Sequence, residues 1–371
     1  DPSRRTSTTP FRKIGARAKA SPPTANRQLL TMGSAVPTPA KPPVRVLISG
    51  AAGQIGYSLI PMLLSGRALG EDQPIDLVLL DIPPCKDKLE GVCMEVQDCG
   101  FGLLRSLTPT VDGKTAFEGC DLCILVGGFP RRPGMLRADL LKKNGGIFSA
   151  MGKAIGSSAS PNVKVVVVAN PANTNCLIAA LNAEGVPKQN FSCLTRLDMN
   201  RSKGLIVSRF GLSSANDVKN VMIWGNHSKT QYPDITEAQI KRDGEWTSVP
   251  TVATDEDMKY FKGDFIKTVQ QRGAAVLKAR GFSSAASAAN AVIDHIKSLY
   301  QGTAPGEHVA MGVWSNGNPY GIADGIFYSF PCTCKDGKWS IVPGVTCSDE
   351  SKELMKATEK ELLEEKKEAL P

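Results

Sequence analysis

The sequence predicts an α/β protein, with a doubly wound parallel sheet followed by a second region of mixed α+β character. Three observations predict it. The runs "VRVLISG" (44–50), "IDLVLLD" (75–81), "DLCILVGG" (121–128) and "VKVVVVAN" (163–170) are apolar throughout rather than alternating, as strands covered on both faces are. Helix-patterned stretches separate them, which is the alternation of a parallel sheet with crossover helices. The 371 residues exceed what one small core organises, so two coupled domains are expected.

In chain order, strand 44–50 leads into a helix over 54–66 that stops at Gly66. Strand 75–81 is followed by a helix over 87–99, with Leu89, Val92, Cys93 and Val96 on one side. Strand 121–128 precedes a long helix over 136–158, and strand 163–170 closes this half. The second half opens with a helix near 199–211 and a strand over "VKNVMIW" (218–224). Long helices near 263–280 and 284–300 come next, then short strands near 308–315, 326–331 and 338–342. The terminal segment 349–369 contains "EKELLEEKKEAL" and reads as a solvated, charge-paired helix that packs Leu362, Leu363 and Leu370 on the body. The expected division is therefore 44–197 for a doubly wound α/β domain and 198–371 for an α+β domain.

The net charge of +8 does not spread over this body. Residues 1–43 hold eight of the basic side chains and one acid, Asp1, leaving 36 basic and 35 acidic residues for the remainder. A nearly neutral body excludes a broad phosphate-binding face, so no nucleic-acid partner is expected. No apolar run reaches the roughly 18 residues that a membrane helix requires, so no membrane partner is expected either. The basic leader is rich in Ser, Thr, Pro and Arg and ends in the Pro-rich "VPTPAKPP" (36–43). Three readings of it stand together: an organelle transit segment, a disordered tail, and a non-native extension preceding a start at Met32. The expected compartment is the cytoplasm, or a plastid or mitochondrion if the leader is a transit segment.

Ten cysteines are scattered, several of them inside apolar runs, and the pairs Cys120/Cys123 and Cys332/Cys334 lack a second ligand pair. Reduced, core-forming cysteine and no metal site are expected.

The chemistry-bearing residues cluster at strand ends. "SGAAGQIG" follows the first strand and opens the first helix, with glycines at 50, 53 and 56 and an acid, Asp81, ending the next strand. Strand, glycine turn, helix and acid together form a Rossmann-type dinucleotide fingerprint: a tight turn, a close backbone approach to pyrophosphate, and a carboxylate for ribose hydroxyls. Asp81 would repel a 2′-phosphate, so NAD is expected over NADP. "GGFPRRPGMLRADLL" puts Arg131, Arg132 and Arg137 beyond the third of the apolar strands, and "LTRLDMNRSKG" sets Asp198 and Arg201 one helical turn apart. Only three histidines occur, and His227 lies in the turn-like "IWGNHSKTQYPD". His295, on an apolar helix, and His308, before a strand, suit structural or solvated roles.

These phrases, with "VANPANTNCL", "TVQQRGAAVLKARG" and "SSAASAANAVIDHI", resemble in order the cytosolic-type malate dehydrogenases of the lactate/malate dehydrogenase family, from Val44 to about Leu370. The resemblance implies that His227 moves the proton and Asp198 pairs with it. It implies that Arg201 grips the carboxylate beside the reacting carbon. Of the loop arginines Arg131 and Arg137, one would recognise the distal carboxylate and the other help polarise the carbonyl. Asn170 would lie between nicotinamide and substrate and Asn144 would touch the cofactor, with Gln54, Ile55 and Val168 completing the NAD contacts. A homodimer acting on malate and oxaloacetate is implied. Two positions depart from the family pattern and bear on cofactor affinity: Met151, where relatives often have Gln, and Gly56, where they often have Ala.

The chemistry agrees. Oxidising a secondary alcohol needs a base that titrates near neutrality, and a dicarboxylate needs guanidinium forks. A monocarboxylate would leave one arginine unmatched.

Overall fold

A computed structural model describes residues 41–129 and 137–370; the leader up to residue 40, Arg131, Arg132 and the side chain of Arg137 lie outside the described residues. The first half runs β1 (Val44–Ser49), α1 (Gln54–Leu64), β2 (Ile75–Leu80), α2 (Lys86–Asp98), β3 (Leu104–Thr110), β4 (Leu122–Leu125), α3 (Arg137–Ser158), β5 (Lys164–Val167), α4 (Ala172–Asn182) and β6 (Phe191–Cys193). The second half continues with α5 (Arg196–Phe210), β7 (Val218–Lys219), β8 (Met222–Trp224), β9 (Tyr232–Asp234), β10 (Gln239–Arg242) and β11 (Glu245–Ser248). Helices α6 (Val249–Val252), α7 (Asp255–Lys262), α8 (Asp264–Arg280) and α9 (Ala286–Gln301) precede β12 (Val309–Trp314), β13 (Phe327–Lys335), β14 (Lys338–Ile341) and α10 (Asp349–Ala369).

One nine-stranded sheet carries both halves, in the order β14-β13-β12-β6-β5-β4-β1-β2-β3. The six strands from β6 to β3 pair in parallel, and β12, β13 and β14 extend the sheet antiparallel from β6. Alternate residues of each apolar strand point to opposite faces, which explains why the strands are hydrophobic throughout. Val46, Ile48, Leu77, Leu79 and Ile124 pack with α1, α2 and α9 on one face. Leu47, Val78, Leu80, Leu125 and Val165 pack with α3 and α4 on the other. Helix α9, from the second half, thus covers a face of the first. A further core gathers β8, β12, β13 and the inner faces of α5, α7 and α8 around the fully buried Trp224.

Several elements differ from the sequence expectation. The strand expected over 218–224 is split into β7 and β8 because Asn220 adopts a left-handed φ of 58°. Helix α5 begins at Arg196, so Asp198 lies inside its first turn rather than before it. In α10, Leu362 is buried, Leu363 is exposed, and the carboxylate-bearing Glu365 is only 3% exposed. A terminal helix expected to be solvated therefore turns acidic side chains inward.

Candidate active site

Four of the six parallel strands deliver an expected residue at the carboxyl end. Gly50 follows β1, Asp81 follows β2, Asn170 lies beyond β5, and Asp198 sits just past β6 in α5. Open α/β sheets hold their ligands along this edge.

The glycine turn is built from backbone alone. Gly50 has φ of 66°, and a Cβ there would stand 2.6 Å from the Cα of Gly127, so the turns after β1 and β4 touch directly. Gly53 donates to the Gly50 carbonyl at 3.0 Å and caps α1 without any side-chain acceptor. The first-turn N–H groups and the positive end of α1 are thereby left to an anion. Asp81 is fixed beside the turn, its two oxygens accepting from Ala52 N at 2.9 Å and Ile82 N at 2.8 Å. Gln54 is exposed and accepts from Arg280 at 3.4 Å, Ile55 is half-buried, and Val168 is 8% exposed. The turn therefore fits a dinucleotide: backbone donors for pyrophosphate and a held carboxylate for ribose.

Gly56 belongs to the same packing. A Cβ on it would lie 2.6 Å from the Gly50 carbonyl oxygen and 2.7 Å from Ala51 Cα, both backbone atoms. Alanine gains about 1 kcal/mol of helix propensity over glycine, whereas overpacking against an unyielding wall costs about 1–3 kcal/mol. Gly56→Ala is expected to weaken NADH binding several-fold and to lower the denaturation midpoint. Fluorescence titration with NADH and urea unfolding check this, and unchanged affinity would show that the turn accommodates the methyl.

Asn144, expected as a cofactor contact, is fully buried. Its Oδ1 accepts from Phe129 N at 2.7 Å, and its Nδ2 donates to the carbonyls of Phe129 at 3.3 Å and Asn170 at 3.0 Å. It ties the segment after β4 to the segment after β5, so its effect on a ligand passes through the backbone it joins. Asn170 itself is exposed, at the mouth of that joint.

The histidine that stood out in sequence is held from α5 and α4. His227 Nδ1 lies 2.5 Å from Asp198 Oδ2, and Arg201 Nη1 donates to Asp198 Oδ1 at 2.9 Å. The Asp198 side chain is 0% exposed, those of His227 and Arg201 18% and 13%. One buried carboxylate thus holds an imidazole and a guanidinium that both reach solvent. Asn173 of α4 fixes the backbone, accepting from His227 N at 2.9 Å and donating to the Gly225 carbonyl at 3.2 Å. The family model described as "lactate/malate dehydrogenase, NAD binding domain" matches residues 44–192, and the one described as "lactate/malate dehydrogenase, alpha/beta C-terminal domain" matches residues 195–371.

The chain belongs to the lactate/malate dehydrogenase family.

It is 54% identical over 328 residues to the cytoplasmic malate dehydrogenase of Gallus gallus, covering 88% of this chain and 97% of that relative. Among solved structures it is similar to the malate dehydrogenase of Naegleria fowleri, at TM-score 0.83 and 43% identity, covering 89% of this chain and 98% of that one. It is equally similar in fold to the Trichomonas vaginalis lactate dehydrogenase in complex with NADH and oxamate, at TM-score 0.83 and 42% identity, covering 88% and 98%. Within the family, then, the fold alone does not choose the substrate.

The other two histidines are structural. His295 is fully buried with Nε2 2.9 Å from Ser192 Oγ, and burial, reinforced by Arg196, pushes its pKa down to about 3. Burial pushes His308 down to about 4. Both are therefore neutral imidazoles, not imidazolium, near neutral pH. All ten cysteines are free thiols; Cys123 and Cys332 are fully buried, and burial raises both well above the ordinary thiol value.

Reading the sequence missed Asn173, and it missed Thr358, Glu361 and Glu365 of α10, which bond to the His227 segment from its other side. Asn173 lies within the quoted "VANPANTNCL", but nothing local marks it as a partner of a backbone amide 54 positions away. The α10 residues recur at intervals of three and four, one helix face, which was the available signal.

Proposed function

We propose that this protein catalyses the reversible NAD-linked interconversion of malate and oxaloacetate. The observation that carries the reading is the buried Asp198 carboxylate shared by His227 Nδ1 and Arg201. NAD, when bound, supplies the acceptor and donor of the hydride. The Asp198 carboxylate accepts the Nδ1–H of His227, which selects the tautomer whose Nε2 is a base. His227 Nε2 takes the hydroxyl proton of malate as C2 loses its hydride, and Asp198 stabilises the resulting imidazolium. In the reverse direction the same atom returns the proton to the carbonyl oxygen of oxaloacetate.

Arg201 spends one nitrogen on Asp198 and keeps further N–H donors for the carboxylate next to C2. Arg131 and Arg137 would serve the distal carboxylate and the carbonyl, and Asn170 would separate nicotinamide from substrate. In this reading residues 44–197 bind the nucleotide and 198–371 bind the substrate and the second copy of a homodimer. The relatives named cytoplasmic support the cytoplasm as the compartment.

The test is a comparison of substrates and cofactors on the purified chain. Oxaloacetate is expected to exceed pyruvate in kcat/KM by about 10³-fold or more, because pyruvate leaves a guanidinium unmatched. NADH is expected to exceed NADPH because of Asp81. Equal or faster turnover of pyruvate would move the protein to the lactate side of the family.

A further inference from the structure

The segment carrying His227 is gripped from two sides, and the second side has no part in the chemistry described so far. Gly225 exchanges backbone hydrogen bonds with Ser329 of β13 at 3.2 and 2.9 Å, and Asn173 holds the Gly225 carbonyl and the His227 N–H. Across from these, α10 presses against the same residues. A Cβ on Gly225 would lie 2.0 Å from Thr358 Cγ2, so only glycine permits this approach. Asn226 N donates to Thr358 Oγ1 at 2.8 Å, and Asn226 Nδ2 donates to Glu361 Oε2 at 2.9 Å and to Glu365 Oε1 at 2.8 Å. The Thr230 hydroxyl donates to Glu361 Oε2 at 2.6 Å and lies 2.9 Å from Thr358 Oγ1, from whose hydroxyl its oxygen can accept, and the Ser228 hydroxyl donates to Glu361. Glu365 also accepts the hydroxyl of Thr174, one residue from Asn173.

We infer that α10 is a positioning element for proton transfer: Thr358, Glu361 and Glu365 hold residues 225–230, and through them the His227 ring, in register with Asp198. The inference rests on the reading of His227 as the proton carrier. Carboxylates are chosen because one acceptor-only group can receive several donors at once, and Glu361 takes Asn226, Ser228 and Thr230 together. The grip falls on both neighbours of His227, Asn226 and Ser228. These set the direction in which the imidazole leaves the backbone, while Asp198 fixes only its rotation about that direction. A displacement of about 1 Å at a reacting group slows chemistry by up to about 10²-fold, so a loosened segment is felt in the rate before it is felt in the fold.

The experiment uses the full chain in single-turnover stopped flow, with NADH bound and oxaloacetate added. Glu361→Ala is expected to lower the rate constant of NADH oxidation about tenfold, while the amplitude per bound NADH stays at the wild-type value. A purely structural role would lower the amplitude and leave the rate constant alone, and that result overturns the inference. Glu361→Gln keeps an acceptor for the Ser228 and Thr230 hydroxyls and should recover part of the rate; no recovery overturns it. Glu364→Ala, on a side chain 65% exposed, should change nothing.

A wild-type chain that fails to turn over oxaloacetate sinks the proposed function instead. The contact is then read without substrate, from the NMR signals of the His227 ring. Movement of these signals in Glu361→Ala but not in Glu364→Ala supports positioning, and signals that stay put in both variants reject it.

Discussion

His227→Asn is expected to lower the rate of oxaloacetate reduction by about 10³-fold or more, with NADH still bound. Positioned general acid–base groups contribute about 10²–10⁴-fold, and asparagine removes the titrating atom while keeping a polar side chain toward Asp198. Asp198 retains its bond to Arg201 at 2.9 Å, so the buried carboxylate is not abandoned without a partner. The site should therefore survive while the proton step does not. Steady-state rates and NADH fluorescence titration on one preparation measure the two quantities separately. Turnover within tenfold of wild type would remove His227 from the mechanism, and lost NADH binding would show that the substitution damaged the cleft instead.

Arg131→Gln gives the second large effect and addresses the substrate rather than the proton. It is expected to cut kcat/KM for oxaloacetate by about 10²-fold or more, which is about 2.7 kcal/mol of lost transition-state binding. Charge-assisted bidentate pairing to a carboxylate is what glutamine cannot reproduce. The midpoint of thermal unfolding should stay within about a degree or two, and the small turnover of pyruvate should not fall in parallel. The contrast between the two acids is the decisive reading. A uniform loss on both would assign Arg131 to general integrity of the site, and unchanged oxaloacetate kinetics would pass the distal carboxylate to another cation.

How far these expectations could be drawn from the chain alone varies with the range of the interactions. β1, β2, β4 and β5 were legible because burial on both faces leaves an unbroken apolar run. β3, an edge strand with half-exposed positions and Pro109, carries no such run. α4 escaped because most of it is buried, and a helix without a polar face shows no 3.6-residue period. The relation of His227 to Asp198 and Arg201 could be read from spacing and resemblance. The partners that seat His227 could not, since Asn173 lies 54 positions away and Thr358 lies 132 positions from Asn226. Charge misled at α10: a helix dense in Glu and Lys reads as solvated, and only the folded chain shows Glu365 facing inward.

The junction of the two halves has a consequence for how the enzyme works. β6 pairs in parallel with β5 and antiparallel with β12, and a Cβ on Gly312 of β12 would sit 2.1 Å from Cys193 Sγ of β6. The nucleotide edge and the strands behind His227 belong to one continuous sheet. Rotation of one half against the other would break the pairing of β6 with β12 and open the tight contact of Gly312 with Cys193. In the proposed reaction such a frame would hold the nucleotide turn and the His227 segment in one fixed register.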